Sequence, residues 1–245
     1  MMILTGKTIV SAVRPPYPYG GEFVQQFLFA LRLCWFPLMI STIAFGYAAP
    51  GLQASNFLTL FGANDRLGGF FVLASIREFA PFVTAIVLAG VAGTAITADL
   101  GARKIREELD AMMVLGIDPI QRLVVPRVLA CMLVAVFLNG LVSVVGVAGG
   151  YVFNVVLQDG TPGAYLASFT ALAQLPDLWQ GMAKALVFGM VAAIVACYKG
   201  MNAAGGPKGV GDAVNESVVV SFMLLFVINF VMSAIYFQLV PPKTG

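Results

Sequence analysis

The stretch at residues 98–130, ADLGARKIREELDAMMVLGIDPIQRLVVPRVLA, concentrates charge in an otherwise strongly apolar chain. It lies between two uncharged runs, at residues 79–98 and 128–158. A membrane-spanning helix needs about 20 apolar residues, so each run is long enough to span. The second run is too short for two spans, and we expect one long tilted helix there. The charged stretch is therefore predicted to be a loop joining two spans.

Composition indicates the same class of protein. Of 245 residues, 60% are hydrophobic and 11% are charged, which is about half the charged share of a soluble domain. Further uncharged runs at residues 33–64, 185–198 and 217–242 bring the predicted spans to five. The run at 185–198 is long enough only if its helix extends back past Lys184 to about Leu178. We therefore predict an all-α polytopic membrane protein with five transmembrane helices.

The placement of Lys and Arg orients these spans. With a cytoplasmic N-terminus, ten basic residues fall inside and four fall outside, namely Arg66, Arg77, Lys184 and Lys243. This distribution satisfies the positive-inside rule. The predicted organisation is a cytoplasmic segment at residues 1–33, one transmembrane domain at 34–242 and an extracytoplasmic tail at 243–245.

The segment at residues 21–33 has two interpretations. As a helix it places Phe23, Phe27, Ala30 and Leu31 on one face. Such a helix could lie in the headgroup layer as an N-terminal interfacial helix. The segment could equally be the start of the first span.

The charged loop itself is predicted to form a helix at about residues 101–115, which ends at Gly116. Bases would precede acids in its i,i+4 pairs, which are Arg103 with Glu107, Lys104 with Glu108, and Arg106 with Asp110. The helix dipole and the preferred orientation of such pairs favour the opposite order. The acids Glu107, Glu108 and Asp110 are therefore either offered to a protein partner or part of a solvated loop helix.

Two further features concern the spans. Arg77 and Glu78 open the second uncharged run, either as an ordinary charged end of a span or as a gating pair near the transport path. Gly146 and Gly150 form a G-x-x-x-G arrangement, which permits close helix packing within the chain or against a second subunit.

Catalytic chemistry has no candidate residues in this sequence. There is no histidine, and the three cysteines stand in separate apolar segments without partners at metal-ligand spacing. TGKT at residues 5–8 lacks the earlier glycine of a phosphate-binding loop. We predict no catalytic residue, no metal site, no cofactor in this chain and no nucleic-acid partner.

The charged loop resembles the signature of MlaE/YrbE-type permeases, which are the membrane subunits of ABC lipid transporters that work with MCE-domain proteins. REFAPFVTAIVLAG at residues 77–90, NGLVSVVGVAGGYVF at 139–153 and GGPKGVGDAVNESVVVSFMLLFVINFVMSAI at 205–235 resemble the same family. The last two stretches are most similar to the A-type YrbE subunit of actinobacterial Mce systems.

The resemblance implies that the loop helix is a coupling helix docked on a cytoplasmic ATPase. Glu107, Glu108 and Asp110 would meet the ATPase, Ile105, Leu109 and Met113 would pack, and Arg103 and Lys104 would mark the membrane edge. The nine coupling residues predicted are Arg103, Lys104, Ile105, Arg106, Glu107, Glu108, Leu109, Asp110 and Met113.

The resemblance also implies the partners and the setting. These are a second YrbE-type permease of the B type, a dimeric ABC ATPase that holds ATP and Mg²⁺, MCE-domain proteins and a hydrophobic lipid, in the bacterial inner membrane. Two other functions stay open, an ion-gradient-driven carrier and a structural scaffold for MCE proteins. A carrier would be expected to place carboxylates at the membrane midplane, and the runs at 79–98 and 128–158 have none.

Overall fold

The computed structural model describes residues 1–13, 20–44, 50–62 and 66–240. Arg14 and the predicted tail at residues 243–245, including Lys243, lie outside these ranges. Within them the chain forms helices and no strand. The nine helices of the described ranges are α1 (Met2–Val13), α2 (Gly20–Ile43), α3 (Pro50–Leu60), α4 (Leu67–Ile105), α5 (Glu108–Val114), α6 (Ile120–Leu157), α7 (Pro162–Leu172), α8 (Leu175–Met201) and α9 (Gly206–Leu239).

Five of these helices, α2, α4, α6, α8 and α9, are long and apolar enough to cross a membrane. The prediction of an all-α polytopic protein with five spans is confirmed. Helix α6 is one continuous helix of 38 residues, as expected for its long apolar run. Helix α8 extends back past Lys184 and begins at Leu175.

The first span differs from the prediction in its position. It begins at Gly20 and ends at Ile43, so it includes residues 20–33 of the segment that was assigned to the cytoplasm and stops well before residue 64. The helix continues through residues 21–33 without a break, which corresponds to the second interpretation of that segment. Its charged Glu22 is accommodated because Gln26 donates a hydrogen bond to the carboxylate.

Helix α1 buries Thr8 and exposes several apolar side chains. Thr8 is buried, and its hydroxyl donates to the backbone carbonyl of Leu4. Ile3, Ile9 and Val10 are exposed. An outward apolar face is typical of a helix in contact with the lipid boundary.

The chain divides into two compact units, and the long helices contribute residues to both. Unit 1 comprises Met1–Cys34, Ala85–Ala135 and Leu186–Ile228. Its core contains the three cysteines, which are buried and free as the sequence predicts. The hydroxyl of Thr97 lies 3.2 Å from the carbonyl oxygen of Ala196 and 3.1 Å from the hydroxyl of Ser217, so it joins α4 to α8 and α9.

Unit 2 comprises Trp35–Thr84, Val136–Ala185 and Asn229–Gly245. Its apolar core is formed by residues from four helices, α3, α4, α6 and α7, and consists of Ala54, Leu67, Phe71, Phe153 and Tyr165. Helix α4 includes a wider π-helical stretch, Val72–Phe79, within this unit. Such turns occur frequently at functional sites, and this one carries Arg77 and Glu78.

Close packing in unit 2 depends on the two glycines of the G-x-x-x-G arrangement. A Cβ atom at Gly146 would collide with the side chain of Ser75. A Cβ atom at Gly150 would lie 2.7 Å from the Phe71 ring and 2.8 Å from the Tyr165 hydroxyl. Both glycines therefore permit a close approach within the chain. Pairing with a second subunit through them stays a prediction.

Candidate functional site

Unit 2 contains a group of polar side chains on three apolar helices, which we call the polar seam. The residues on one helix are adjacent at the π-helical stretch, those on the second are seven positions apart, and those on the third are four and three apart. A spacing of three or four places side chains on one face of a helix. The seam consists of Arg77 and Glu78 on α4, Asp177 and Lys184 on α8, and Asn229, Ser233 and Tyr236 on α9.

The first half of the polar seam is centred on Arg77. Its Nε lies 2.7 Å from Asp177 Oδ1, and its Nη2 donates to Asp177 Oδ2 at 3.1 Å. The Tyr236 hydroxyl donates to Asp177 as well. The two charged side chains are 6% and 2% exposed. A buried charge is tolerated when it is paired and hydrogen bonded, and this pair fulfils both conditions.

The second half is centred on Lys184, whose side chain is fully buried. Its Nζ donates to Glu78 Oε1 at 2.9 Å, to Ser233 Oγ at 2.7 Å and to the carbonyl oxygen of Arg77 at 3.2 Å. An ammonium group has three donors, so Lys184 has no donor left over. Asn229 donates to the other oxygen of Glu78 at 3.2 Å.

A cavity of about 330 Å³ borders Glu78. Its walls are aromatic and aliphatic except for three polar side chains, and the lining consists of Phe70, Phe71, Ala74, Ser75, Glu78, Phe79, Phe82 and Asn229. Mostly apolar cavities with a few polar groups are typical of sites for small apolar molecules. Because 38% of the Glu78 side chain is exposed, its carboxylate can meet a molecule in the cavity while remaining paired with Lys184.

The sequence predicts two members of the polar seam, Arg77 and Glu78, but not their partners on α8. In the gating alternative, Glu78 was expected to pair with Arg77 or with a neighbouring subunit, and within the chain it pairs with Lys184. Successive residues of a helix point about 100° apart, and each contacts a different residue of α8 instead. The two residues also do not open the span, because α4 begins at Leu67. Their role in gating stays a prediction.

The other members of the seam were missed, although the sequence contains a signal for them. Lys184 was interpreted only as a topology marker, and the residues on α9 were treated as part of an uncharged run. Asp177 and Lys184 are seven apart, and Asn229, Ser233 and Tyr236 follow at intervals of four and three. Polar residues at helical spacing within an apolar span indicate a shared polar face.

The charged loop is not one helix, which corrects the prediction for residues 101–115. Helix α4 ends at Ile105, and α5 begins at Glu108. Between them Glu107 adopts a left-handed conformation with φ of 60°. The break explains the puzzling order of charges. Arg103 and Lys104 occupy the last turn of α4, and Glu108 and Asp110 occupy the first turn of α5, so both pairs suit the helix dipole.

The ion pairs of this segment also differ from the expected i,i+4 pattern. Lys104 pairs with Asp110 at 3.0 Å, and Arg106 pairs with Glu108 at 2.8 Å. Arg103 lies 3.8 Å from Glu108. Among the described residues, the Glu107 carboxylate forms no ion pair and is exposed. Of the three acids predicted to face a partner, Glu107 is thus the uncompensated one.

Apolar side chains form the outer surface of α5 and the turn that follows. Leu109 is buried and holds α5 against the protein, whereas Ile105 and Met113 are exposed. Val114 and Leu115 are 87% and 75% exposed. We call the exposed group of Met113, Val114, Leu115 and Ile117 the apolar tip. Gly116 ends the segment in a left-handed conformation, with φ of 75°, as the sequence predicts.

Comparison with known proteins identifies the family of this chain. The family model described as Permease MlaE matches residues 23–235. The chain belongs to the MlaE permease family. It is 41% identical to a probable ABC transporter permease protein of Synechocystis over 187 residues, which cover 76% of this chain and 71% of that protein. This chain is therefore a multi-pass membrane protein and a permease subunit of the ABC transporter class.

Two other relatives match large parts of the chain. A probable ABC transporter permease protein of Rickettsia typhi is 33% identical over 230 residues, which cover 94% of this chain and 88% of that protein. Protein TRIGALACTOSYLDIACYLGLYCEROL 1, chloroplastic, of Arabidopsis thaliana is 35% identical over 187 residues, covering 76% of this chain and 53% of the plant protein.

Proposed function

We propose that this permease moves a hydrophobic lipid and that ATP hydrolysis on a separate subunit drives the movement. The observation that carries the proposal is the cavity of about 330 Å³ beside Glu78. Its phenylalanine walls suit an acyl or other hydrocarbon group, and Glu78 and Asn229 suit a polar end. The name of the Arabidopsis relative contains a glycerolipid, which supports the same class of substrate.

Glu78 is the residue we expect to control passage. Its carboxylate is shared between the cavity and Lys184, so a polar group in the cavity competes with the ion pair. A pair that can exchange partners gives two arrangements of α4 against α8, which is what gating requires. Arg77 is more deeply buried and paired with Asp177, so we assign it a supporting role.

The segment from Arg103 to Ile117 is proposed as the surface that couples the permease to the ATPase. Glu107 and the apolar tip are its outward groups, whereas Glu108 and Asp110 are compensated within the chain. An apolar contact surrounded by polar groups is the usual composition of a protein interface. ATP and Mg²⁺ would bind the ATPase and not this chain.

The remaining partners follow from the family resemblance. We propose a second YrbE-type permease of the B type, a dimeric ATPase and MCE-domain proteins, in the bacterial cytoplasmic membrane. The N-terminus and the coupling surface would be cytoplasmic and the C-terminus extracytoplasmic, because that orientation leaves most Lys and Arg inside.

Lipid retained by the purified complex tests the substrate class. The complex would be extracted in detergent, and bound lipid identified by mass spectrometry for the wild type and for Ala74→Phe, which fills the cavity. Ala148→Phe is the matched control, because Ala148 is exposed on α6 and does not line the cavity. We expect Ala74→Phe to lose most of the retained lipid and Ala148→Phe to keep it. Equal retention by both variants would contradict the cavity assignment.

The same complex separates the proposal from its two alternatives. Glu78 and Asp177 are carboxylates within spanning helices, a feature shared with ion-driven carriers. Lipid transfer between vesicles would be measured with an active ATPase and with an ATPase that binds ATP without hydrolysing it. We expect transfer only with the active ATPase. Transfer that follows an ion gradient would indicate a carrier, and no transfer in either case would indicate a scaffold.

A further inference from the structure

Unit 1 contains its own chain of charged side chains, which we call the ionic relay. It runs from the start of α5 through the end of α4 and the start of α6 to the start of α2. Its members are Glu108, Arg103, Asp99, Arg127 and Glu22. Each is within 4 Å of the next: Arg103 lies 3.8 Å from Glu108 and 3.2 Å from Asp99, and Arg127 lies 2.6 Å from Asp99 and 3.8 Å from Glu22.

Arg127 is the centre of the relay and is 1% exposed. Its Nη1 donates to the carbonyl oxygen of Leu123 at 2.7 Å, while its Nη2 faces both Asp99 and Glu22. A buried guanidinium is costly unless carboxylates compensate it. Since Asp99 and Glu22 belong to different helices, the position of Arg127 is determined jointly by α4 and α2.

The two contacts of Arg127 are unequal, and there is space beside them. Asp99 is in direct contact, whereas Glu22 is more than 1 Å farther away. A cavity of about 400 Å³ adjoins the relay and is lined by Glu22, Gln25, Gln26, Phe29, Ala95, Ile96, Asp99, Arg103 and Arg127. Asp99 is also shared, because Arg103 competes with Arg127 for it. The relay therefore has an alternative pairing and room to adopt it.

We propose that Arg127 is a positioning residue that passes a movement of the α4–α5 turn to the first span. When the turn moves, Glu108 shifts Arg103, and Arg103 takes a larger share of Asp99. Arg127 then moves toward Glu22 and draws the start of α2 with it. This proposal rests on the proposed function, because the turn moves only if an ATPase acts on it. Coupling between separated sites requires a physical element with two arrangements, and the relay is such an element.

The movement of α2 can be measured directly in the full complex with spin labels. Val24→Cys on α2 and Val219→Cys on α9 place labels at two exposed positions of unit 1. The native cysteines are buried and would be replaced by alanine in all variants. The distance between the labels would be recorded without nucleotide and with trapped ATP. We expect a shift in the wild type and none in Arg127→Met.

Two further variants keep this experiment decisive. Lys199→Met is the matched control, because it breaks an exposed ion pair with Glu216 in the same unit, and we expect it to retain the shift. If Arg127→Met fails to fold, the double variant Asp99→Asn with Arg127→Met replaces it, since it leaves Asp99 without charge. A shift retained in either Arg127 variant, or absent from the wild type, would overturn the proposal.

The amount of lipid moved per ATP gives a second test of the ionic relay. We expect Arg127→Met to keep the ATPase bound and hydrolysing, while lipid moved per ATP falls by about tenfold, within the range typical of coupling between sites. A normal ratio would contradict the relay. If wild-type permease retains no ATPase, the proposed function fails first. If ATP shifts the labels but no lipid moves, the relay stands and only the substrate assignment fails.

Discussion

Lys184 Nζ lies 2.9 Å from Glu78 Oε1, and this ion pair joins α8 to α4 inside an apolar bundle. The lysine is fully buried, but the carboxylate borders the cavity. One partner is thus fixed by the protein and the other is accessible to a ligand. Such an asymmetric pair can hold the helices together and still respond to what enters the cavity.

Replacing Glu78 tests the gating role. Glu78→Gln keeps a side chain that can hydrogen bond to Ser233 and Asn229 but removes the charge that pairs with Lys184. We expect normal assembly with the ATPase and a loss of lipid transfer in vesicles, and a similar loss for Glu78→Ala. Full transfer by both variants would show that Glu78 is an ordinary charged residue of the span.

Arg77 and Asp177 are predicted to matter for stability. Arg77→Met leaves a buried carboxylate without its cation, which destabilises by about 3–5 kcal/mol. Tyr236→Phe removes only a hydrogen bond to that carboxylate and should cost about 1.5–3 kcal/mol. Thermal unfolding of the detergent-solubilised protein would rank the two variants. The double variant Arg77→Met with Asp177→Asn should recover part of the lost stability. If it recovers none, the result would argue against the pair.

The sequence was sufficient to predict the features that depend on composition. It was not sufficient to predict those that depend on contacts between helices. Five spans and the stop at Gly116 after α5 could be predicted from apolar length and from glycine. The partners of Arg77 and Glu78 could not, because Asp177 and Lys184 are about 100 residues away. The relay was missed for the same reason, since its central pair joins residues 28 apart.

Local backbone geometry explains why the charged loop was wrongly predicted to be one helix. The charged loop fits a helical pattern throughout residues 101–115, so periodicity predicts one helix. The left-handed Glu107 ends it, and nothing in the composition of the loop indicates that break. As a result, the compensated charges of two short helix ends were interpreted as an unfavourable charge order in one helix.

Glu107 provides a clean test of the coupling surface. A non-glycine residue in the left-handed region is strained by about 1–2 kcal/mol, so Glu107→Gly should preserve or improve stability while removing the exposed acid. Glu107→Gln removes the charge and keeps the backbone requirement. If this acid meets the ATPase, both variants should weaken co-purification of the ATPase to a similar extent. Retention of full binding by both would place the contact elsewhere on the surface.

The apolar tip would then be the next part of that surface to test. Val114→Ser with Leu115→Ser removes exposed apolar area and leaves the buried Leu109 in place. We expect the variant to insert normally and to lose the ATPase on purification. Glu108→Lys with Asp110→Lys is a poorer test, because it also breaks ion pairs to Arg106 and Lys104. Unchanged ATPase binding by the serine variant would remove the tip from the interface.

Two glycines of α6 make a matched pair for the packing of unit 2. Gly150→Ala would place a methyl group 2.7 Å from the Phe71 ring, and overpacking of this kind costs about 1–3 kcal/mol. Gly140→Ala meets no atom of the described residues within 4 Å and should stabilise the helix by roughly 0.5–1 kcal/mol, because alanine loses less conformational entropy. Thermal unfolding of the solubilised single chain should therefore shift downward for Gly150→Ala and slightly upward for Gly140→Ala. If Gly150→Ala leaves the single chain unaffected but separates the assembled complex, the glycine serves contact with a second subunit and not the close approach of α4.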